Sequence, residues 1–396
     1  MPRVLFLPSH VGLGHVTRDY AVALALRRMV PSIRVEWCSA EPVRSFLQLL
    51  GESVREECLE LESFSKTIED LYNGAIRGLR ELGARLQVLR RNYEVVEKLL
   101  AEDYDLVFAD EFWEAVYSAP LEVKKRIVFG TDILYKPYSL NPVDSFMSLI
   151  LNNYFKKTLP LFKKLLFLND PETLRGKRWY GLFGERLTDW IEKNTIPTGY
   201  VTSFLPEEIP SRNEARRRLG VTGDELVVVI SVGGTSTRSK PLLDCIDEGA
   251  ETAAKMLRER LGREVRFVAV PGPRTKWRPR SSYIEVLEET APRLLTYYAA
   301  GDVFVTRAGR TTTADLLCLG KPAVLIPIRR HFEQEEIARD MERRFGYPVL
   351  REDRCNGERL AGAVLRAISS PPRPPTGLCN GVERTASILS GMLGEK

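Results

Sequence analysis

Two of the three histidines in this 396-residue chain fall in one short stretch, SHVGLGHVTRDYA, residues 9–21. Gly12 and Gly14 would let backbone approach a ligand closely, and the helix that follows would offer N–H groups lacking intrahelical partners. His15, Arg18 and Asp19 stand three and four residues apart, so they share one face of that helix's first turn. A carboxylate one turn from an imidazole can orient it and favour its action as a base. The plainer alternative is a capped helix with a solvent-facing histidine, but the position directly after the first apolar run favours chemistry. The spacing is not the dinucleotide fingerprint, because GLGHVT lacks the third glycine. His10 precedes the turn and either bonds backbone or serves the same site.

Two further stretches could hold an anion. In ISVGGTSTRSKP, Gly233 and Gly234 with Thr235, Ser236 and Thr237 make a donor-rich loop suited to a diphosphate. It lacks the GK[ST] ending of a P-loop, which argues against an ATPase. In DVFVTRAGRTTTADLL an apolar run ends at Arg307, and Ala308–Gly309 turns the chain. Arg310, Thr311, Thr312 and Thr313 then open a helix whose N-terminus suits phosphate. Asp315 lies one turn inside, placed to accept from a ribose hydroxyl. A second run, AVLIPI, delivers His331, Glu333 and Gln334 into the next turn, where His331 either contacts the ligand or caps a helix. Asp110 and Glu111, in FADEFWE, follow another strand and compete with His15 for the role of base. Asp103 and Asp105 form the lone DxD, which leads into a strand, so no metal site is expected.

These groups need elements to hold them. Short apolar runs at 4–8, 34–38, 105–110, 126–130 and 165–168 have strand length, and longer amphipathic stretches separate them. The alternation implies βαβ units around a parallel sheet. After a proline-containing linker the pattern restarts with ELVVVIS, VRFVAV, DVFVT and PAVLIPI. The fold class expected is α/β with two Rossmann-like domains facing each other across a cleft. The domains span 1–198 and 199–375, and a C-terminal helix, 376–396, packs back on the first. In such folds ligands bind at the carboxyl ends of strands, which is where the candidate residues fall.

Composition narrows the classes. Hydrophobic residues at 44% and charged residues at 28% describe a globular chain, and a net charge of +5 suits a small anionic ligand better than nucleic acid. The N-terminal apolar run is too short for a signal peptide and none reaches membrane-spanning length, so a cytoplasmic protein is expected. The six cysteines show no CxxC pair, and neither a zinc site nor a disulfide framework is expected. Residues 145–168, with paired lysines among aromatic and aliphatic residues, read either as a surface resting on an anionic membrane or as a core helix followed by a strand. The basic stretch 272–282 reads as a solvated loop that could steer an anionic substrate.

The segment 302–341 resembles the donor-binding half of GT-B glycosyltransferases. It is most similar to the lipid-linked N-acetylglucosaminyltransferase of bacterial cell-wall synthesis and its archaeal and eukaryotic kin. In that family a strand-end R-x-G is followed by Thr and an acidic residue, then G-x-P, a strand ending in Pro, and Q-x-x-N-A. Arg307, Gly309, Thr311 or Thr312, Asp315, Gly320, Pro322, Pro327 and Gln334 stand in those places here. Ile337 replaces the asparagine, and Asp315 is shorter than the usual glutamate. GGTST stands where the family has its Gly-Gly-Ser phosphate loop, and GLGHVTR where it has a Gly-Gly-His turn. Arg18 replaces the proline three residues after that histidine, a His-x-x-Arg version shared with UDP-sugar hydrolases.

The resemblance implies transfer of a sugar, with inversion and without a metal, from a nucleotide-sugar to a hydroxyl or lipid-linked acceptor. The donor implied is a UDP-sugar such as UDP-N-acetylglucosamine, with no cofactor besides and no nucleic-acid partner. His15, Asp110 and Glu111 are the catalytic candidates, and Arg18 lies on the acceptor side. Gly14, Gly233, Gly234, Thr235, Arg307, Gly309, Arg310, Thr311, Thr312, Asp315, His331 and Gln334 are the donor-binding candidates. A nucleotide-sugar hydrolase, a nucleotide-sugar epimerase and a non-catalytic binding subunit are the competing readings. A cytoplasmic enzyme peripheral to the inner face of the membrane is the implied location.

Overall fold

The computed structural model describes residues 1–63, 79–233, 239–272, 275–286 and 293–393. Contacts divide the chain into two units. The first comprises Met1–Val11, His15–Val201 and Gly377–Lys396, and the second Gly12–Gly14 and Thr202–Thr376.

The first unit runs β1 (Arg3–Pro8), α1 (Gly14–Met29), β2 (Arg34–Trp37), α2 (Val43–Leu49), α3 (Leu79–Leu100) and β3 (Leu106–Asp110). It continues with α4 (Trp113–Ser118), α5 (Leu121–Lys124), β4 (Ile127–Thr131), α6 (Pro142–Thr158) and β5 (Lys164–Phe167). A short antiparallel pair, β6 (Arg178–Tyr180) and β7 (Phe183–Arg186), precedes α7 (Leu187–Asn194) and β8 (Ile196–Pro197). The main sheet is parallel, in the order β2-β1-β3-β4-β5-β8. Every residue of β3 and β4 is buried. Strands covered on both faces read as continuous apolar runs rather than alternations, which is why the sequence exposes them. The β6–β7 hairpin and β8 carry no such run, and both are additions to the expected pattern.

The second unit runs α8 (Arg212–Arg218), β9 (Leu226–Ser231), α9 (Ser239–Leu261), β10 (Val265–Val270), β11 (Ile284–Val286) and α10 (Leu295–Ala300). Then come β12 (Val303–Thr306), α11 (Arg310–Cys318), β13 (Ala323–Leu325), α12 (Phe332–Phe345) and α13 (Gly357–Ser369). Its sheet is also parallel, in the order β11-β10-β9-β12-β13. The last helix, α14 (Gly381–Leu393), returns to the first unit, where Tyr200 N donates to the Leu378 carbonyl at 2.7 Å. A Cβ on Gly381 would collide with the Tyr200 carbonyl, so this approach needs glycine.

Strand order reverses between β1 and β3 in the first sheet and between β9 and β12 in the second. In open α/β sheets the crevice beyond the strand ends at such a reversal is where ligands bind. The His15 stretch follows β1, FADE closes β3, the glycine loop follows β9, and Arg307 follows β12. Each set of candidate residues therefore stands at the reversal of its own sheet.

Two expectations need correction. Cys38 and Cys58 form a disulfide, because β2 and the turn after α2 bring the two buried side chains together across 20 residues. The stretch 272–282 is anchored where described: Trp277 Nε1 donates to Asp244 at 2.9 Å, and Arg280 N donates to Asp247 at 2.8 Å. Both acceptors lie on α9. Among the described residues, no helix is long and apolar enough to cross a membrane.

Candidate active site

In the first unit Pro8 stands opposite Asp110, and Asp110 opposite Gly130, so three strands end side by side. A Cβ on Gly130 would come within 2.9 Å of Leu168 and 3.0 Å of Phe108, so the glycine keeps β4 seated there. Gly12 has φ +84°, a conformation that lets the chain leave β1 and enter α1 at Gly14.

Four carboxylates and two basic side chains then converge. His15 Nδ1 lies 3.2 Å from Asp110 Oδ2, and its Nε2 lies 3.8 Å from Glu111 Oε2. Arg18 grips Asp110 with two bonds, Nε to Oδ2 and Nη2 to Oδ1, each 2.6 Å. Its Nη1 donates to Asp132 Oδ2 at 2.5 Å, and its Nη2 also lies 3.1 Å from His15 Nδ1. Arg18 is 2% exposed and Asp110 fully buried, whereas the His15 side chain keeps 16%. Only the imidazole of this trio reaches solvent. Arg18 was expected on the acceptor side; its charge is instead spent on two buried carboxylates, as a desolvated guanidinium requires.

The environments push the proton affinities apart. Burial opposes charge on Asp110, but Arg18 and His15 overcome it and hold the carboxyl well below its usual range. Burial also opposes charge on His15; Asp110, joined by Glu111, outweighs it and Arg18's repulsion, leaving the imidazole above its ordinary value. Glu111 is pushed up to about 7, by burial first and then by Asp132 and Asp110. Asp19 rises well above the carboxylate range for the same two reasons, burial and the charge of Asp110. The sequence placed Asp19 beside the imidazole. It hydrogen-bonds Asp110 instead, and Asp110 takes the orienting role.

Glu111 sits at φ +48°, an uncommon conformation for a residue with a side chain. It is held there by Thr131 Oγ1 (2.8 Å), Asp132 N (2.8 Å) and Ile133 N (3.1 Å), all donating to Oε1. Oε2 remains on the histidine side. Asp132 was missed in the sequence, although it directly follows the β4 run as Asp110 closes β3. His10 is buried 3.7 Å from Glu114, and burial lowers its pKa; it is a neutral side chain of the interior. Asp105 of the DxD accepts from Arg3 N at 2.8 Å and so ties strand ends together.

In the second unit Gly233 has φ +87° directly after β9, while Gly234 and Thr235 lie outside the described residues. Gly309 caps α11 without a side chain, and a Cβ there would meet nothing within 4 Å. Thr311, in the first turn, is buried, and its Oγ1 donates to the Gly14 carbonyl at 3.0 Å. Arg307 is 3% exposed; Nη1 donates to the Ile326 carbonyl at 3.1 Å and Nη2 to Glu352 at 2.6 Å. Glu352, 45 residues away, has no local signal that would reveal it.

Asp315 turns inward. Ser203 N and Ser203 Oγ each donate to it at 2.7 Å, and Tyr298 Oη donates at 2.8 Å. Burial pushes it up to about 6 against those bonds. The carboxylate expected to meet a ribose is therefore engaged with residues 203 and 298. Thr312 also hydrogen-bonds Tyr298. His331 caps α12, its Nδ1 accepting from Gln334 N at 3.5 Å, and Gln334 Oε1 accepts from Ile328 N at 3.0 Å. Of its two readings, the cap is the one seen.

Two parallel α/β units, each with its candidate residues at the reversal of its sheet, define the GT-B fold. Solved structures share it along the whole chain. MurG of Acinetobacter baumannii superposes with a TM-score of 0.54 over 99% of this chain and 100% of that one, at 13% identity. The glycosyltransferase of kitacinnamycin reaches 0.59 over 99% and 97%, at 15% identity. Residues 227–378 match the glycosyltransferase family 28 C-terminal domain. The chain is 27% identical over 205 residues to an uncharacterized glycosyltransferase of Methanopyrus kandleri, covering 51% of this chain and 56% of that protein. It is 30% identical over 204 residues to the UDP-N-acetylglucosamine–N-acetylmuramyl-(pentapeptide) pyrophosphoryl-undecaprenol N-acetylglucosamine transferase of Carboxydothermus hydrogenoformans, covering 48% and 52%. The chain spans about half the length of these curated relatives.

Proposed function

We propose that the protein is an inverting, metal-independent glycosyltransferase that moves a sugar from a UDP-sugar, such as UDP-N-acetylglucosamine, to a hydroxyl of a lipid-linked acceptor. The observation that carries the reading is the His15–Asp110 pair at the reversal of the first sheet. Asp110, fixed by Arg18, accepts a hydrogen bond from the His15 Nδ1–H and leaves the Nε2 lone pair to receive a proton from an incoming hydroxyl. The hydroxyl oxygen attacks the anomeric carbon as the nucleoside diphosphate leaves from the opposite face. The second unit receives the diphosphate charge at the Gly233 turn and at the opening of α11, with Arg310 adding positive charge. Each well-placed donor contributes roughly 3 kcal/mol in such sites. The relative from Carboxydothermus hydrogenoformans, a transferase named for UDP-N-acetylglucosamine, supports the choice of donor.

The membrane face is α6 with the β6–β7 tip. Leu140, Val143, Phe146 and Ile150 are exposed there, as are Leu182 and Phe183 at the hairpin. Lys157, Lys163 and Lys164 are exposed along the same segment, a charge pattern suited to an anionic lipid surface.

The test is thermal shift with UDP, GDP, dTDP, CMP and their sugar derivatives, on the native chain and on Gly309→Glu. That substitution has room and a favourable place at a helix N-terminus, but its carboxylate repels a diphosphate. UDP ligands at about 100 times their dissociation constant are expected to add roughly 2.7 kcal/mol to the native chain, and nothing to Gly309→Glu. A shift by no nucleotide overturns the reading. Sugar release without any acceptor would make the protein a hydrolase.

A further inference from the structure

The second unit contains two free, partly exposed cysteines that the proposed transfer does not use, Cys245 and Cys355. Cys245 lies on α9, and Cys355 lies between the turn Glu352–Arg354 and α13. Two glycines force these backbones together. Gly249 stands one turn after Cys245, and Gly357 two residues after Cys355. A Cβ on Gly249 would come within 2.6 Å of Gly357 N, and a Cβ on Gly357 within 2.5 Å of the Gly249 carbonyl. The result is that Cys245 Sγ donates to the Cys355 carbonyl at 2.8 Å, across 110 residues of chain.

We propose that Cys245 and Cys355 are a site of reversible modification by small-molecule disulfides, closing to a bridge within the second unit. The Cys245 thiolate attacks one sulfur of the small disulfide, forms a mixed disulfide and expels one thiolate. The Cys355 thiol then loses its proton, attacks the Cys245 sulfur and expels the second thiolate. Two protein thiols are oxidised by two electrons, one small disulfide is reduced to two thiols, and the two protons go to the expelled thiolates. The order follows from the proton affinities of the two neighbouring thiols: the Cys355 thiol, as donor to the Cys245 sulfur, lowers the pKa of Cys245, while that interaction and burial raise that of Cys355. The thiol that ionises more readily is the one that attacks an external disulfide.

The bridge would tie α9 to the turn that seats Arg307. Cys355 N donates to the Glu352 carbonyl at 3.3 Å, and the Glu352 side chain accepts from Arg307 Nη2 and Arg329 N. A covalent tie across 110 residues also restricts the unfolded chain.

The full chain, reduced with dithiothreitol, is transferred into oxidised glutathione, alkylated and mapped by mass spectrometry after digestion. The expected product is a peptide pair joined through Cys245 and Cys355, which disappears when dithiothreitol is restored. Oxidation is expected to raise Tm by several degrees more in the native chain than in Cys355→Ser, where the Cys38–Cys58 bridge re-forms but the new one cannot. Recovery of both cysteines alkylated, or of a stable glutathione adduct on Cys245 without the bridge, overturns the proposal. The mapping uses the native chain, so a poorly folding variant does not decide the outcome.

Discussion

Arg18 and Asp110 pair through both carboxylate oxygens and two guanidinium nitrogens, each contact 2.6 Å, at a place where neither side chain is more than 2% exposed. A pair of this kind contributes little beyond what two apolar residues would, but each partner is indispensable to the other. Its use here is positional: with Asp132 as a second anchor, it fixes the carboxylate that faces His15.

Removing one partner should therefore be costly. Arg18→Met is expected to lower the unfolding free energy by roughly 3–5 kcal/mol, because Asp110 and Asp132 stay buried without their cation. Urea unfolding measures this. A variant as stable as the native chain would mean the carboxylates find other partners.

Glu111 gives a stability effect of opposite sign to an ordinary paired carboxylate. Its pKa lies near 7 in the fold and near the ordinary 4.5 when unfolded, so the folded state binds more protons between those values. Stability from this group is full below about pH 4.5 and is lost as pH rises through 7. Glu111→Gln is expected to melt above the native chain at pH 8.5, with the gap closing by pH 5. A gap independent of pH would contradict the raised pKa.

Asp315 is expected to act through the fold of the second unit. Tyr298→Phe removes one of its three donors and should cost about 1 kcal/mol in urea unfolding. The affinity for a nucleotide, read by calorimetry, should stay within threefold. A tenfold loss of affinity without loss of stability would return Asp315 to the ligand.

The exposed face of α6 can be tested by sedimentation with phosphatidylglycerol vesicles. The double substitution Phe146→Asp, Phe183→Asp removes two residues that are 61% and 77% exposed and adds two negative charges. Vesicle binding is expected to fall at least tenfold with Tm unchanged. Equal binding would place the lipid contact elsewhere.

Much of this was legible in the sequence because buried parallel strands are short, unbroken apolar runs, and the residues that follow them stand at strand ends. His15, Asp110, Glu111 and Arg307 were placed at strand ends that way. Their partners were harder. Asp132 also follows a strand, but Arg18's choice of two carboxylates over solvent depends on burial that spacing does not encode. Asp315 has the sequence position of a ligand, and only the return of Ser203 and Tyr298 to it shows where its oxygens point. Cys38 and Cys58 lie far from any CxxC spacing, and their pairing follows from how β2 and the next turn pack.

The central claim is that His15, oriented by Asp110, receives the proton of the attacking hydroxyl. The most direct measurement is the pH dependence of kcat for the native chain, Glu111→Gln and His15→Ala, with the donor that the nucleotide screen identifies. The native acid limb is expected above the ordinary imidazole value of about 6.5. Glu111→Gln should keep the plateau rate while the limb moves to lower pH, because one neighbouring negative charge is gone. His15→Ala should lose the limb and roughly 10²–10⁴ in rate. A Glu111→Gln enzyme without activity beside a His15→Ala enzyme that keeps its limb would contradict the account and make Glu111 the base.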